Sequence, residues 1–200
     1  KIYWQTPQRV NLVSPELLVL MKKAGCHILR FGVEQGDPEM MRLVEKRTTI
    51  DQVRFAFKAA NDAGIKTLSY FIIGYIGETE RTMQSTIDLA IDLNPTFVMF
   101  TKAVPLPQTP LMTQSVSSGL AEPEYWRKYT LGVQQAPMPS LVANADKWVA
   151  RAYRSFYLRP SVILRQLLSI RSLHDIKRHI DAFVGIVDFQ MNDNALSIQR

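Results

Sequence analysis

The run Leu68-Ser69-Tyr70-Phe71-Ile72-Ile73-Gly74-Tyr75-Ile76-Gly77-Glu78-Thr79 is apolar, breaks at its glycines and turns straight into a helix start. An apolar run bounded by Gly reads as a buried strand, and Glu-Thr ahead of an amphipathic segment reads as a first helical turn. Glycines let backbone approach a ligand closely, and the C-terminal ends of parallel strands open onto the binding face of α/β folds. The chemistry on offer is recognition through main-chain groups. An ordinary βα turn stands beside it as the bland reading. A second strand end, His27-Ile28-Leu29-Arg30-Phe31-Gly32, delivers Val33-Glu34-Gln35-Gly36, and Lys46 follows one short helix later. Glu34 is either a hydrogen-bonding carboxylate at a binding mouth or a helix-cap or surface acid. Lys46 is either a point-charge partner for a carboxylate or a solvated lysine.

Other reactive side chains are sparse. One cysteine, Cys26, excludes an internal disulfide and any iron-sulfur or thiolate zinc site built from this chain alone. The three histidines, His27, His174 and His179, show no metal-ligand spacing. The 200 residues, 46% hydrophobic, suffice for one domain or a little more, with a sizeable core. The net charge of +6 is modest, and its Lys and Arg gather late, at Arg151, Arg154, Arg159, Arg165, Arg171, Lys177 and Arg178. That excess favours an anionic partner, RNA among them, or a membrane surface, or is a solvated helix face. No run of about twenty apolar residues and no leader-like start is visible, so the cytoplasm is the expected compartment.

The elements that must position these residues alternate. Ile2 to Gln5 is strand-like, Ser14-Pro15-Glu16 opens a helix to Lys23, and Gly25 stops it. Asp37-Pro38 caps a short helix, Thr49-Ile50-Asp51 starts a longer one ended by Gly64, and a helix from about Glu80 to Leu93 ends at Asn94-Pro95. Phe97 to Lys102 is the next strand. The order β-α-β-α-α-β-α-β implies parallel strands with right-handed crossovers, in a doubly wound sheet or a piece of a (β/α) barrel. No G-x-G-x-x-G loop follows the first strand, which argues against dinucleotide binding. Beyond Lys102, Pro105 to Pro110 reads as an extended loop. Helices are expected at about Glu122–Tyr129, Val142–Tyr157, Ser161–Ile170 and Ser172–Phe183, with Ala136 to Pro139 as a linker. The division expected is 1–116, 117–186 and a loosely held tail at 187–200.

Phe31-Gly32-Val33-Glu34-Gln35-Gly36-Asp37, Lys46, Ile72 to Thr79, and Pro105-Leu106-Pro107-Gln108-Thr109-Pro110-Leu111 together resemble the second half of a radical S-adenosylmethionine (SAM) partial barrel. More narrowly they resemble the class with an N-terminal cobalamin-binding domain. Tyr125-Trp126-Arg127-Lys128-Tyr129 and Arg154 to Pro160 are similar to the anaerobic magnesium-protoporphyrin monomethyl ester oxidative cyclases. The resemblance implies a partial (β/α) barrel of TIM type with a C-terminal helical extension, SAM as cofactor, and a [4Fe-4S] cluster and cobalamin in the intact enzyme. There the reduced cluster cleaves SAM and the resulting radical abstracts hydrogen from substrate, with an electron donor for the cluster. It places Glu34 on the SAM ribose, Lys46 at the methionine carboxylate or ribose, Ile72 on adenine through backbone and side chain, Ala103 under adenine, and Gln5 as a further candidate.

Two positions depart from the family pattern: Ile76 stands where proline is usual, and Gln108 replaces a loop glycine. The three-cysteine cluster segment is not in the sequence, so the chain is expected to be a fragment without its cluster ligands, with Cys26 as core packing. The expected function is the ribose and adenine side of the SAM site in an oxidoreductase or transferase acting on a small molecule, tetrapyrrole- or lipid-like, and not on DNA. The aromatic helices could close over that substrate. An RNA-modifying or RNA-binding domain, or a non-radical barrel binding phosphate at the Gly74 corner, are the alternatives. The first strand and an open inner face, lined by Phe31, Tyr70, Ile72 and Phe100, would invite a homodimer.

Overall fold

The structure, a computed structural model, describes residues 2–133, 138, 140–168 and 170. The expected helix at 172–183, the tail, most of the linker and Arg171, His174, Lys177, Arg178 and His179 lie outside the described residues.

Four parallel strands, β1 (Trp4–Gln8), β2 (Cys26–Glu34), β3 (Lys66–Ile73) and β4 (Phe97–Lys102), lie side by side in chain order. Sequential neighbours with helical connections require the crossovers that the alternation implies. α1 (Pro15–Lys23) has Ser14 as N-cap and Pro15 in its first turn, and α2 (Pro38–Leu43) has Asp37 and Pro38 in the same roles. α3 (Ile50–Asp62) and α4 (Glu80–Leu93) open with capping boxes, Thr49 with Gln52 and Thr79 with Thr82. Asn94 in the left-handed region ends α4.

Alternation along the strands divides the sheet into two unlike faces. Leu29, Phe31, Val33, Ser69, Phe71, Ile73, Val98 and Phe100 are buried on one. This face meets α3, α4 and α7 (Ala145–Tyr157), which add Val53, Phe57, Ile87, Trp148, Ala152 and Phe156 to a single core. Arg30, Gly32, Tyr70, Ile72 and Thr101 occupy the other face, half-buried or exposed. Two of the residues expected there are on the covered side instead: Phe31 pairs with Ser69 and Phe100 with Phe71. Their neighbours Tyr70 and Ile72 are on the open side. The sheet is thus covered outside and open inside, as in a partial barrel.

Other expectations need correction. β1 runs to Gln8, not Gln5, with Pro7 tolerated because β1 is an edge strand. The loop Pro105 to Pro110 leads into α5 (Pro110–Ser117), where Thr109 is the N-cap and Pro110 begins the helix. α6 (Tyr125–Thr130) follows, and α8 (Pro160–Leu168) is the last described helix.

The aromatic residues of α7 do not close over the open face. Tyr157 Oη accepts from the Val98 amide at 3.0 Å and donates to the Val98 carbonyl at 2.9 Å, while Tyr153 Oη accepts from the Phe100 amide at 3.1 Å. These phenols occupy outward main-chain groups of β4 that another strand would otherwise pair with. Arg159 donates to the Ile91 carbonyl and Asn94 Oδ1, and Arg165 to the Pro95 carbonyl, so both are engaged at the end of α4.

Candidate functional site

The C-terminal edge of the sheet is built by one strained residue and one internal clamp. Register slips between Gly32 and Glu34, so Glu34 pairs with Phe71 and the strand bulges at Val33. Glu34 then takes φ +71, and the Gln35 amide bonds the Val33 carbonyl across it at 2.9 Å. A left-handed glutamate costs about 1–3 kcal/mol and persists only where its surroundings fix it. Two interactions fix it. Gln35, fully buried, donates from Nε2 to the Ile72 carbonyl at 2.8 Å, and the Gly36 amide donates to Thr86 Oγ1 at 2.9 Å. Gly36 must be glycine: a Cβ there would lie 2.4 Å from the Ser85 carbonyl oxygen and 2.5 Å from Thr86 Cα of α4.

The bulge turns the Glu34 carboxylate back over Gly32, where an added Cβ would meet Glu34 Oε1 at 2.4 Å. Lys46 Nζ reaches that oxygen at 3.3 Å. Lys46 is brought there by the end of α2. The Glu45 amide bonds the Arg42 carbonyl at 3.0 Å, the Lys46 amide bonds Met41 at 2.8 Å, and Glu45 sits at φ +53. This is a Schellman ending with glutamate in the usual glycine place. Both side chains of the pair are about a quarter exposed, at 26% each, so the ions face solvent and can be approached.

The glycine corner lies beside them. Glu78 Oε2 accepts from the Gly74 amide at 2.5 Å and the Tyr75 amide at 2.9 Å, closing Gly74 to Glu78 into a rigid loop at φ +91 and +93 for its glycines. Burial pushes the Glu78 carboxyl above its ordinary range, against the lowering effect of the Tyr75 and Gly74 amides. Burial, then the charges of Glu34 and Glu78, push the Tyr75 phenol up, which sets that ring in the field of the Glu34 pair. From behind, α7 abuts the corner: a Cβ on Gly74 would lie 2.7 Å from that of Ala145. Lys102 pairs with Asp146 at 2.9 Å, and Ser140 Oγ donates to the same carboxylate at 2.7 Å.

Of the residues singled out in the sequence, Glu34, Lys46, Ile72 and Ala103 all sit at this edge. Ile72 is half-buried on the open face, one residue before the end of β3. Ala103 is buried just past β4, its amide bonded to the Ile73 carbonyl at 2.8 Å. The Ile72 carbonyl already serves Gln35, so a ligand would share it. Gln5 is elsewhere. It pairs with Ile28, and Ile28 with Lys66, which puts Gln5 on the open face about 20 Å along the strands from Ile72. The residue of β1 at the mouth end is Gln8. Tyr75, Gln35 and Glu78 were not singled out as site residues; for Glu78 the four-residue spacing to Gly74 is a usable signal, since it matches a carboxylate folding back onto the glycine amide.

The arrangement offers a carboxylate with one oxygen unbonded among the described residues, an adjacent ammonium, and a glycine corner and an aliphatic side chain at the same sheet edge. A carboxylate oxygen of this kind can accept from paired hydroxyls, and an aliphatic side chain can pack a flat ring. The arrangement does not fit a cluster: Cys26 is buried at the start of β2, at the far end from Glu34, and burial raises its thiol pKa. Among the described residues no group of three or more His, Cys, Asp or Glu is placed to hold a metal ion.

Residues 2–90 match the Radical SAM superfamily. These residues are a radical SAM domain. The chain is 33% identical over 167 residues to an uncharacterized methyltransferase of Pyrococcus horikoshii, covering 83% of this chain and 36% of the relative. It is 32% identical over 115 residues to the anaerobic magnesium-protoporphyrin IX monomethyl ester cyclase of Rubrivivax gelatinosus, covering 56% of this chain and 21% of the cyclase. A likeness of fold extends beyond the matched residues. The structure of OxsB, a cobalamin-dependent SAM radical enzyme with aqua-cobalamin and SAM bound, superposes with a TM-score of 0.58 at 14% identity, covering 92% of this chain and 33% of OxsB. The chain therefore spans about a third or less of the length of these proteins. Enzymes of the radical SAM family use SAM and a [4Fe-4S] cluster.

Proposed function

We propose that this domain supplies the ribose and adenine side of the SAM pocket in a cobalamin-dependent radical SAM oxidoreductase or transferase. One observation carries the reading: a strained Glu34, held over a bare Gly32 and paired with Lys46, at the same sheet edge as Ile72 and Ala103. The Glu34 carboxylate has oxygens to accept from both ribose hydroxyls, and Lys46 beside it is a counter-charge for the methionine carboxylate. Ile72 packs the base, and the small Ala103 leaves it room. Gln35 and Glu78 hold the two strand ends at fixed spacing, so the pocket is organised before its ligand arrives. SAM and the cluster, whose ligands are other residues, supply the radical chemistry; the residues here bind and orient SAM.

The names of the relatives support a large cofactor-like substrate. Sequence similarity to a cyclase of a porphyrin ester favours a tetrapyrrole-like molecule, and a fold shared with a cobalamin-dependent SAM radical enzyme favours cobalamin as second cofactor. An RNA substrate has less support, since Arg159 and Arg165 are engaged with the end of α4. Among the described residues no helix is long and apolar enough to cross a membrane.

Calorimetric titration with SAM tests the site. Glu34→Gln is expected to weaken binding about tenfold or more, by loss of charge-assisted bonds to the diol, with an unchanged circular dichroism spectrum. Equal affinity in the two proteins would remove Glu34 from the site.

A further inference from the structure

The open face holds a second constellation, lower in the sheet than the Glu34 pair. A concavity of about 870 Å³ lies between the end of β1, the middle of β2 and the loop after α2. Its charged lining is Arg9, Arg30, Lys46 and Arg47 against the single carboxylate Glu45. Lys46 is engaged by Glu34, but Arg9, Arg30 and Arg47 have no hydrogen-bond or ion-pair partner among the described residues. Arg30 differs from the two surface arginines. It stands on the open face, and its Nε is buried without a hydrogen-bond partner; Thr48 Oγ1, lining the same concavity, is also buried without one. A buried N–H of a permanent cation without an acceptor is costly, because it has lost water and gained nothing.

We infer that Arg30, with Thr48, anchors an oxyanion of the substrate, a carboxylate or a phosphate, in this concavity. The guanidinium fork matches either group in a bidentate mode, and Thr48 can donate a further bond to it. Arg9 and Arg47 at the rim draw an anion in without fixing it. The size suits a small molecule, and Tyr70, with Val10 and Leu12, gives the anion's organic body an apolar wall. The anchor adjoins the nucleoside mouth and is distinct from it: Lys46 and Gly32 border both, but Arg30 precedes Gly32 by two residues, about 7 Å further down β2. This inference rests on the proposed function for calling the ligand a substrate, and it defines that substrate as an acid whose anionic end points down the open face, away from SAM.

The test uses the full chain with three matched probes, 2-naphthoate, 2-naphthyl phosphate and the uncharged 2-naphthamide, each titrated by NMR while observing the Arg Nε–H signals. At least one anion is expected to bind about tenfold tighter than the amide and to shift the Arg30 Nε–H; which one does so separates carboxylate from phosphate. Arg30→Met is expected to abolish the preference, Arg30→Lys to keep part of it, and Thr48→Val to weaken it severalfold with unchanged thermal stability. SAM affinity in Arg30→Met is expected to equal that of the wild type, and Glu34→Gln is expected to weaken SAM while leaving the anion preference intact. Anion binding without SAM binding would uphold this site and fail the SAM reading. Equal binding of acid, phosphate and amide by the wild type, or an anion preference that survives Arg30→Met, would overturn the inference.

Discussion

The two faces of one sheet divide the work of this protein. On the covered face, Phe71 stacks on Phe100 with centroids 5.5 Å apart, Phe100 meets Tyr153 edge-on at 5.4 Å, and even the polar Thr67 and Ser69 are buried. On the open face, the alternate residues of the same strands are Arg30, Gly32, Tyr70 and Ile72, which pack little and leave charge and space available. A strand is forced by its period of two to present both sets at once. Stability and recognition are thus separated by a single residue step, and substitutions one position apart should have different consequences.

The largest contrast is expected between Phe71→Ala and Tyr70→Ala. Removing a fully buried ring should cost about 3–5 kcal/mol in urea unfolding, and removing its half-exposed neighbour about 1 kcal/mol or less. Similar losses would mean that the open face is packed. Gly36→Ala comes next, at about 1–3 kcal/mol, because its Cβ would strike α4 backbone that cannot yield locally. Gly32→Ala sharpens the comparison: its Cβ strikes only the end of the Glu34 side chain. Stability should change by less than about 1 kcal/mol while SAM affinity falls several-fold as the Glu34–Lys46 pair is displaced. Tyr157→Phe, which removes two hydrogen bonds at the β4 edge, should cost about 1 kcal/mol in the same unfolding assay.

The smallest effect is on pH dependence. Because burial raises the Glu78 pKa, the folded protein binds that proton more tightly than the unfolded chain. This contribution is present at low pH and is lost as pH rises from the ordinary glutamate pKa to the raised folded value. Asp146 behaves oppositely. Burial raises its pKa, but the bonds from Lys102 and Ser140 prevail and the net shift is downward. Its contribution is present above the ordinary aspartate pKa and is lost as pH falls toward the lowered value. Glu78→Gln should flatten the first slope and leave the second, as measured by urea midpoints across acid pH.

Helix ends were the most legible feature of the sequence, because capping is local chemistry. Thr79 and Asn94-Pro95 delimit α4 at Glu80 and Leu93, as expected from their residue types. β1 was misjudged because Gln5, Thr6, Pro7 and Gln8 carry no apolar alternation; an edge strand beside an open face needs none. α5 is hidden in the sequence because Pro110 suggests a stiffened loop, whereas Thr109 before it makes it a first helical residue. The face of Phe31 and Phe100 depends on inter-strand register, which a single strand does not encode. Glu34 is legible as a strand-end carboxylate and its ribose role only through resemblance, since the bulge and the positive φ that aim it leave no mark on composition. Arg30 looked like any strand arginine until pairing put it opposite Leu68 on the open face, over the concavity.

The most direct test of the central claim, that the C-terminal edge on the open side is a half-site for SAM, is amide shift mapping of the isotopically labelled chain during SAM titration. The expected result is a cluster of perturbed amides at Glu34–Gly36, Ile72–Gly77 and Lys102–Val104, reduced in Glu34→Gln, with His27 and α1 unchanged. Perturbations centred on the start of β1 or on the helix-covered face, or none at millimolar SAM in a protein whose spectrum is folded, would contradict it.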